Sequence, residues 1–341
     1  VRLSVVVSTC NRRDLLRRVL GLLGRQLAPG LDEVVVSDDG STDGTVAMLE
    51  DWRASAGVEA RCVADRHRGV GATHNRGIRA ARGDLVLMLA DDILPAPGFV
   101  DAHLAAHARH ADERVAVVGR LVQSPELPPT AFQRYWDPFA GRGPEGRGQL
   151  GYRDFWVSNL SFKRRFLLEH GMFQEWPSAA HEDLELGYRL SRRGMRLLYE
   201  PRALGYHYHP ESVESILRRS YVHGYNWHLV EQNVPEPEIR RKSQLPRPSE
   251  GLAVFARALA KESASQILLS RPAVYAVMLP VLRAAESRRW LEWAVPLFNT
   301  KVASYAFRKG VRDYRRGRGF APPAGAPGPA PAVAAPEGLT T

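Results

Sequence analysis

The chain has 341 residues, 44% of them hydrophobic and 25% charged, which excludes a disordered polymer and leaves room for roughly two domains. A count of 47 Lys and Arg against 37 Asp and Glu gives a formal charge of +10, which favours anionic partners without choosing among nucleotide phosphates, anionic lipid and nucleic acid. The two cysteines, Cys10 and Cys62, lack metal-ligand spacing and suit a reduced compartment, and the longest apolar run, Ala273 to Leu282, is about half of the ~20 residues a membrane span needs.

In chain order, Leu3 to Thr9 has the β-branched richness of a central strand. The apolar start is too short for a signal peptide, so a cytoplasmic location is expected. Asn11 to Asp14 opens a helix whose apolar face is Leu15, Leu16, Val19, Leu20, Leu23 and Leu27. Pro29-Gly30 closes it, and Glu33 to Ser37 forms a second strand that runs into Asp38-Asp39. A helix from about Thr45, a strand near Val58 to Val63 and a helix from about Ala72 to Arg82 follow. Leu85 to Ala90 is an uninterrupted apolar run ending in Asp91-Asp92, the signature of a buried parallel strand delivering acids to its carboxyl end. A helix over Phe99 to His110 and a strand at Val115 come next. Ser124 to Gly151, rich in Pro, Gly and Arg, reads as a mobile excursion. Patterning returns at Phe155 to Phe162, then in a helix to His170 and a helix opened by His181-Glu182-Asp183. Arg196 to Tyr199 and Leu204 to His209 read as two late strands. From Val213 the pattern is helical, and from about Ala321 a Pro/Ala/Gly tail has too little patterning to fold. This alternation implies an α/β fold with a doubly wound, mostly parallel sheet whose loops gather at one edge.

The loops test the chemistry. A Rossmann dehydrogenase needs glycines at the first strand-to-helix turn, and Thr9-Cys10-Asn11-Arg12 has none. No Gly-rich loop ends in Lys followed by Ser or Thr, which excludes a P-loop. The loops instead supply three acidic clusters: Asp38-Asp39, Asp91-Asp92 and Glu182-Asp183. Neighbouring carboxylates repel unless a cation joins them, so a hard divalent metal bridging to a diphosphate suits one pair, while another acid can take a proton from an attacking hydroxyl. Simple helix capping is the competing reading for Asp91-Asp92 and for Glu182-Asp183.

Thr9-x-Asn11-Arg12, Ser37-Asp38-Asp39-Gly40-Ser41, Asn75-Arg76-Gly77, Asp91-Asp92 and His181-Glu182-Asp183, in this order, resemble the family 2 glycosyltransferases over about residues 1 to 225. The resemblance implies a GT-A fold and inverting transfer from a nucleotide-activated sugar, a UDP-sugar first among them, to a saccharide, lipid-linked or small-molecule hydroxyl acceptor. It implies a catalytic domain at 1–210, with a nucleotide-binding half to about 120 and an acceptor half to 210, then a helical extension at 211–320. Thr9, Asn11, Arg12, Asp38, Asp39, Asn75 and Asp91 would line the nucleotide pocket. Asp92, with Asp91 and His207, would hold Mn²⁺ or Mg²⁺, and His209 competes with His207 for that role. Asp183 would be the general base with Glu182 beside it, and its place in the first helical turn predicts an ionised carboxylate. Asn159 and Ser161 would floor the sugar site and Trp156 would stack on a sugar face, although Trp156 reads equally as a core residue.

The chain departs from the family in having Thr73-His74-Asn75 where many relatives have Ala-Arg-Asn. A titratable contact then replaces a cationic one, with Arg76 or Arg68 as substitutes. Arg218 and Arg219 could touch an anionic acceptor, and the Arg308 to Arg318 cluster an anionic membrane face; nucleic acid is not expected, because no recognition motif accompanies the charge. The alternative from another class is a catalytically silent GT-A-like protein that binds a polyanion or membrane through these helices.

Overall fold

In the computed structural model, which describes residues 2–135, 150–176, 180–236, 239 and 272–318, the chain separates into two compact units, 1–128 with 137–209 and 129–136 with 210–341. The first unit is built on an eight-stranded sheet of order β3-β2-β1-β4-β7-β6-β8-β5. The strands are β1 (Leu3–Thr9), β2 (Glu33–Asp38), β3 (Glu59–Ala64), β4 (Leu85–Ala90), β5 (Ile93–Pro95), β6 (Val115–Gln123), β7 (Asn159–Lys163) and β8 (Arg196–His207). β1 pairs in parallel with β2 and β4, β2 with β3, and β6 with β8. β7 is antiparallel to both β4 and β6, and β5 is antiparallel to β8. The sheet is therefore mixed, with every strand except β7 and β5 running the same way.

Helices α1 (Arg13–Leu23), α2 (Thr45–Ser55), α3 (Val70–Ala80), α4 (Phe99–Arg109), α6 (Arg164–His170) and α7 (Glu182–Ser191) flank this sheet. The alternating apolar positions of β1 sort its side chains between two cores. Leu3, Val5 and Val7 join Leu16, Leu20 and Leu23 of α1, and Val6 joins Ile78 of α3 and Leu186 and Leu190 of α7. The two late strands expected from sequence are one strand. Its ladder with β6 slips after Gly119, leaving Pro201, Arg202 and Ala203 unpaired, and that interruption hid the continuity.

At the amino edge of the sheet Glu33 is fully buried. It accepts hydrogen bonds from Ser4 Oγ (2.6 Å), the Arg82 N–H (2.6 Å) and Arg61 (2.5 Å). Burial works against its charge, but these donors outweigh burial and hold its pKa below the ordinary carboxylate value.

The second unit packs α5 (Ala131–Tyr135), α8 (Val213–Tyr225), α9 (Trp227–Asn233), α10 (Pro272–Ser287) and α11 (Ala294–Arg315). Phe132, Leu217, Tyr221, Leu282 and Val302 share its core. At Gly224 of α8 an added Cβ would lie 2.0 Å from the Phe307 carbonyl, so only glycine admits this crossing. Part of the basic surface is matched internally: Arg219 donates to Glu211 (2.8 Å), and Lys309 donates to Asp313 (2.5 Å). No described helix is long and apolar enough to cross a membrane. Half of the Ser124 to Gly151 excursion, residues 136–149, and all of the Ala321 tail fall outside the described residues.

Candidate active site

β1 and β4 lie side by side, and their carboxyl ends meet at one cluster. Thr9 Oγ1 donates to Asp91 Oδ2 (2.7 Å). Arg12, immediately before α1, donates one guanidinium N–H group to both Asp91 Oδ1 (3.0 Å) and Asp92 Oδ2 (2.7 Å). Asp92 then leads into β5, which pairs with the end of β8 so that Ile93 faces His207. The Tyr208 N–H donates to the Asp92 carbonyl (2.8 Å). This hook brings both imidazoles to one carboxylate oxygen, with His207 Nε2 3.7 Å and His209 Nδ1 3.6 Å from Asp92 Oδ2. The two rings are stacked at 5.4 Å with planes 2° apart.

Asp92, His207 and His209 offer one ligand atom each, all within 4.8 Å of one another, an oxygen and two imidazole nitrogens that suit a first-row divalent ion such as Mn²⁺. Both histidines stand at Asp92, whereas the spacing alone had left them as competitors. Asp91 turns instead toward Thr9 and Arg12. Burial pushes Asp91 up to about 6, against the pull of Arg12. Burial acts on Asp92 too, but the two imidazoles and Arg12 outweigh it and hold Asp92 well below the usual range. Arg12 was expected in the nucleotide pocket; its place on the acid pair makes it the local counter-ion.

A second cluster lies beside the first. The Asp39 N–H donates to the Thr9 carbonyl (2.9 Å). Asp39 accepts the N–H groups of Arg68 (2.9 Å) and Gly69 (3.2 Å), and His67 Nδ1 is 2.7 Å away. Asp38 accepts Ser41 through its N–H (2.9 Å) and its hydroxyl. Asn11, held at φ 52°, accepts the Thr42 N–H (2.8 Å). These residues thus shape the loops that would enclose a base.

Three expectations change here. Asn75 is buried and directs its amide inward, accepting from Phe173 N (2.9 Å) and donating to Phe173 O (2.9 Å) and Glu175 (3.0 Å), so it pins a chain segment and does not line a pocket. His74 bonds Ser8 Oγ (2.7 Å), and burial lowers its pKa to about 4, so it is neutral and not a titratable substitute for a cation. Arg76 donates to the Asp38 carbonyl and Arg68 to Glu175, both within the protein.

α7 carries the third acidic cluster. Its far end leads to Arg196, whose N–H donates to Arg114 O (2.9 Å) where β6 begins, so the first turn of α7 lies toward the carboxyl edge. Arg189 fixes the helix: it grips Glu185 (2.9 and 3.0 Å) and donates to Met172 O (2.6 Å) and His170 O (3.2 Å). Gly171, at φ +92°, is where a Cβ would meet that guanidinium at 2.6 Å. Asp183 accepts the Leu184 N–H (2.7 Å) and Glu182 the Ala180 N–H (3.0 Å). Ala180 and His181 have φ 153° and 70°, so the entry to the pair is strained backbone.

Burial pushes Glu182 up to about 7, with the Asp183 charge adding, and Asp183 up to about 6. Desolvation therefore outweighs the helix dipole in setting these values, and Asp183, titrating near 6, is still mostly ionised at pH 7. Among the described residues no hydrogen bond or ion pair links Glu182 or Asp183 to the other clusters.

Trp156 sits in the turn before β7, partly buried against the α3/α7 core. Asn159 does not floor a sugar site. It is fully buried, and its amide is used by His103, Ala203 and Arg120. Sequence reasoning missed the two histidines involved, His103 and His107. Their i, i+4 spacing on α4, facing the i, i+2 pair Asn159 and Ser161 on β7, was the available signal.

The profile described as Glycosyl transferase family 2 matches residues 4–171, and that of Glycosyl transferase family group 2 matches residues 150–303. The chain belongs to the family 2 glycosyltransferases. Among curated family members it is 35% identical over 219 residues to validoxylamine A glucosyltransferase of Streptomyces hygroscopicus subsp. limoneus, covering 57% of this chain and 48% of that protein. It is 25% identical over 269 residues to chondroitin synthase of Escherichia coli, covering 68% of this chain and 38% of that protein. The chain thus spans about half or less of the length of these relatives. The mannosyltransferase PcManGT of Pyrobaculum calidifontis, solved with GDP-Man and Mn²⁺, superposes with a TM-score of 0.59 at 20% identity over 93% of this chain and 88% of that one. That likeness establishes the GT-A fold expected of a family 2 glycosyltransferase. The silent polyanion-binding alternative is not favoured by these relatives.

Proposed function

We propose that this family 2 glycosyltransferase moves a sugar from a nucleotide-diphosphate donor, a UDP-sugar first among candidates, to a hydroxyl acceptor with inversion. The observation that carries the reading is the convergence of Asp92, His207 and His209 at the end of the Asp91-bearing strand. Asp92, His207 and His209 would hold a divalent ion, Mn²⁺ or Mg²⁺, which when bound supplies charge stabilisation to the departing diphosphate, worth several kcal/mol.

The remaining work belongs to the protein's own groups. Thr9 and Arg12 hold Asp91 in place, and Arg12 keeps a positive charge beside the position the phosphates would take. The Asp38 and Asp39 loops enclose the base, while Asn75 holds the segment from Phe173 to Glu175 in place. Asp183 takes the proton of the acceptor hydroxyl at its carboxylate, a contribution typically of ~10²–10⁴ in rate. Its raised pKa suits this, because a base that titrates near 6 is both ionised and adequately basic at pH 7.

The neighbour solved with GDP-Man and Mn²⁺ and the relative named a glucosyltransferase support a nucleotide-sugar donor and a metal. A thermal-shift panel of UDP- and GDP-sugars with Mn²⁺, followed by donor hydrolysis with and without EDTA, tests the reading. Stabilisation by one nucleotide sugar and EDTA-sensitive turnover are expected; no response to any donor would overturn it.

A further inference from the structure

The end of β8 reaches Asp92 only because its register is reset partway along. β6 and β8 stay paired to Gly119 and Glu200, skip Pro201, Arg202 and Ala203, and resume at Arg120 and Leu204. From there the ladder sets His207 opposite Gln123 on one side and Ile93 on the other. A slip of one residue would put a tyrosine in that place and turn the imidazole to the opposite face.

Asn159 of β7 holds this bulge. Its Nδ2 donates to Ala203 O (2.9 Å), inside the bulge, and to Arg120 O (3.2 Å), where pairing resumes. The fit is close, since a Cβ on Gly119 would come within 2.3 Å of the same nitrogen.

The orientation of this amide is fixed from behind by a buried line of hydrogen bonds. Lys163 Nζ lies 3.3 Å from His107 Nδ1, and His107 Nε2 lies 2.9 Å from Ser161 Oγ. Ser161 Oγ is 2.8 Å from His103 Nδ1, and His103 Nε2 is 2.8 Å from Asn159 Oδ1. An ammonium can only donate, so His107 accepts at Nδ1 and donates from Nε2 to Ser161. The hydroxyl then donates to His103 Nδ1, whose Nε2–H donates to Asn159 Oδ1. That leaves the Asn159 NH₂ for the two carbonyls, and a flipped amide would face oxygen with oxygen. Burial keeps both imidazoles neutral, with pKa values lowered to about 4 and about 3, as this order requires.

We propose that Asn159, oriented by His103 and Ser161, is a positioning residue for the cation site: it locks the β8 bulge and so brings His207 and His209 to Asp92. The proposal rests on the reading of Asp92, His207 and His209 as metal ligands.

Mn²⁺ binding to the full chain without substrate, followed by the EPR signal of the free ion, tests both. Wild type should bind Mn²⁺ and Asp92→Ala should not; if wild type fails to bind, or Asp92→Ala binds equally, the metal reading falls and the proposal with it. Asn159→Ala and His103→Ala should each weaken binding roughly tenfold or more. His103→Gln, which keeps an N–H donor for Asn159, should recover part of the loss. Leu20→Ala, a core change beneath α1, should lower Tm without moving the affinity. Wild-type Mn²⁺ affinity in folded Asn159→Ala or His103→Ala, or an equal loss in Leu20→Ala, would overturn the positioning role while leaving the metal site standing. If Asn159→Ala does not fold, the His103 pair of variants decides the matter.

Discussion

Replacing Asp183 by Asn should make the protein more stable and the enzyme nearly inactive. The Asp183 carboxyl is lifted from its ordinary 3.8 to about 6, chiefly by burial. Holding it ionised at pH 7 therefore costs roughly 3 kcal/mol, and since the side chain is only partly buried, about 1–3 kcal/mol is the expected gain on neutralising it. Asn keeps the acceptor for the Leu184 N–H, so the helix start is preserved. The sign follows from proton uptake: the folded state binds the proton more tightly, so the burden is absent below about pH 4 and complete above pH 6. Thermal unfolding of both proteins from pH 4 to 8 should show a Tm gap of several degrees at pH 7 that closes on acidification. Transfer by wild type should rise with pH through about 6, while the Asn variant loses ~10²–10⁴ in rate at pH 7. A variant that is inactive yet no more stable would refute the burial argument, and one with near wild-type transfer would remove Asp183 as the base.

Arg12→Ala should affect metal and donor in opposite directions: Mn²⁺ should bind several-fold tighter once the competing guanidinium leaves Asp92, and nucleotide sugar more weakly, as calorimetry of each alone would reveal. Tighter binding of both would show that Arg12 only obstructs. Asp92→Ala should make donor binding insensitive to Mn²⁺ by thermal shift, and retained metal dependence would count against the assignment. Gly171→Ala, which crowds the Arg189 guanidinium at a positive φ, should destabilise by roughly 1–3 kcal/mol in denaturant unfolding, and an unchanged midpoint would mean that Arg189 can shift freely.

The acid-terminated strands were readable because a short apolar run that stops at paired carboxylates matches a buried strand better than it matches a helix, whose apolar positions would recur every three or four residues. β1, β2 and β4 lie where that pattern put them, at neighbouring positions in the sheet. The reversed direction of β7 was not readable, since a buried strand shows the same apolar sequence whichever way it runs. β8 looked like two strands because Glu200, Pro201 and Arg202 interrupt its pattern; the structure turns that interruption into a bulge. Within the site, residue types proved easier to read than partners. Asn75 and Asn159 had the right chemistry for a ligand, yet each satisfies buried backbone groups, a demand that only three-dimensional neighbours reveal. Arg12 and His209 were visible as a cation and an imidazole; the β1–β4 pairing brings the first to Asp92 and the β5–β8 pairing the second.

The amino edge of the sheet gives the acid response a second stage. Glu33, held below its ordinary 4.5 by fixed protein donors, stabilises the fold above that value and lets go as pH falls through its lowered pKa. Asp183 takes up its proton near 6. If Asp183 is the base, as proposed, the chain should be idle but intact in the pH interval between the two. An enzyme switched off there should recover on neutralisation without refolding, because Asp183 at the start of α7 and Glu33 at the amino end of β2 titrate separately.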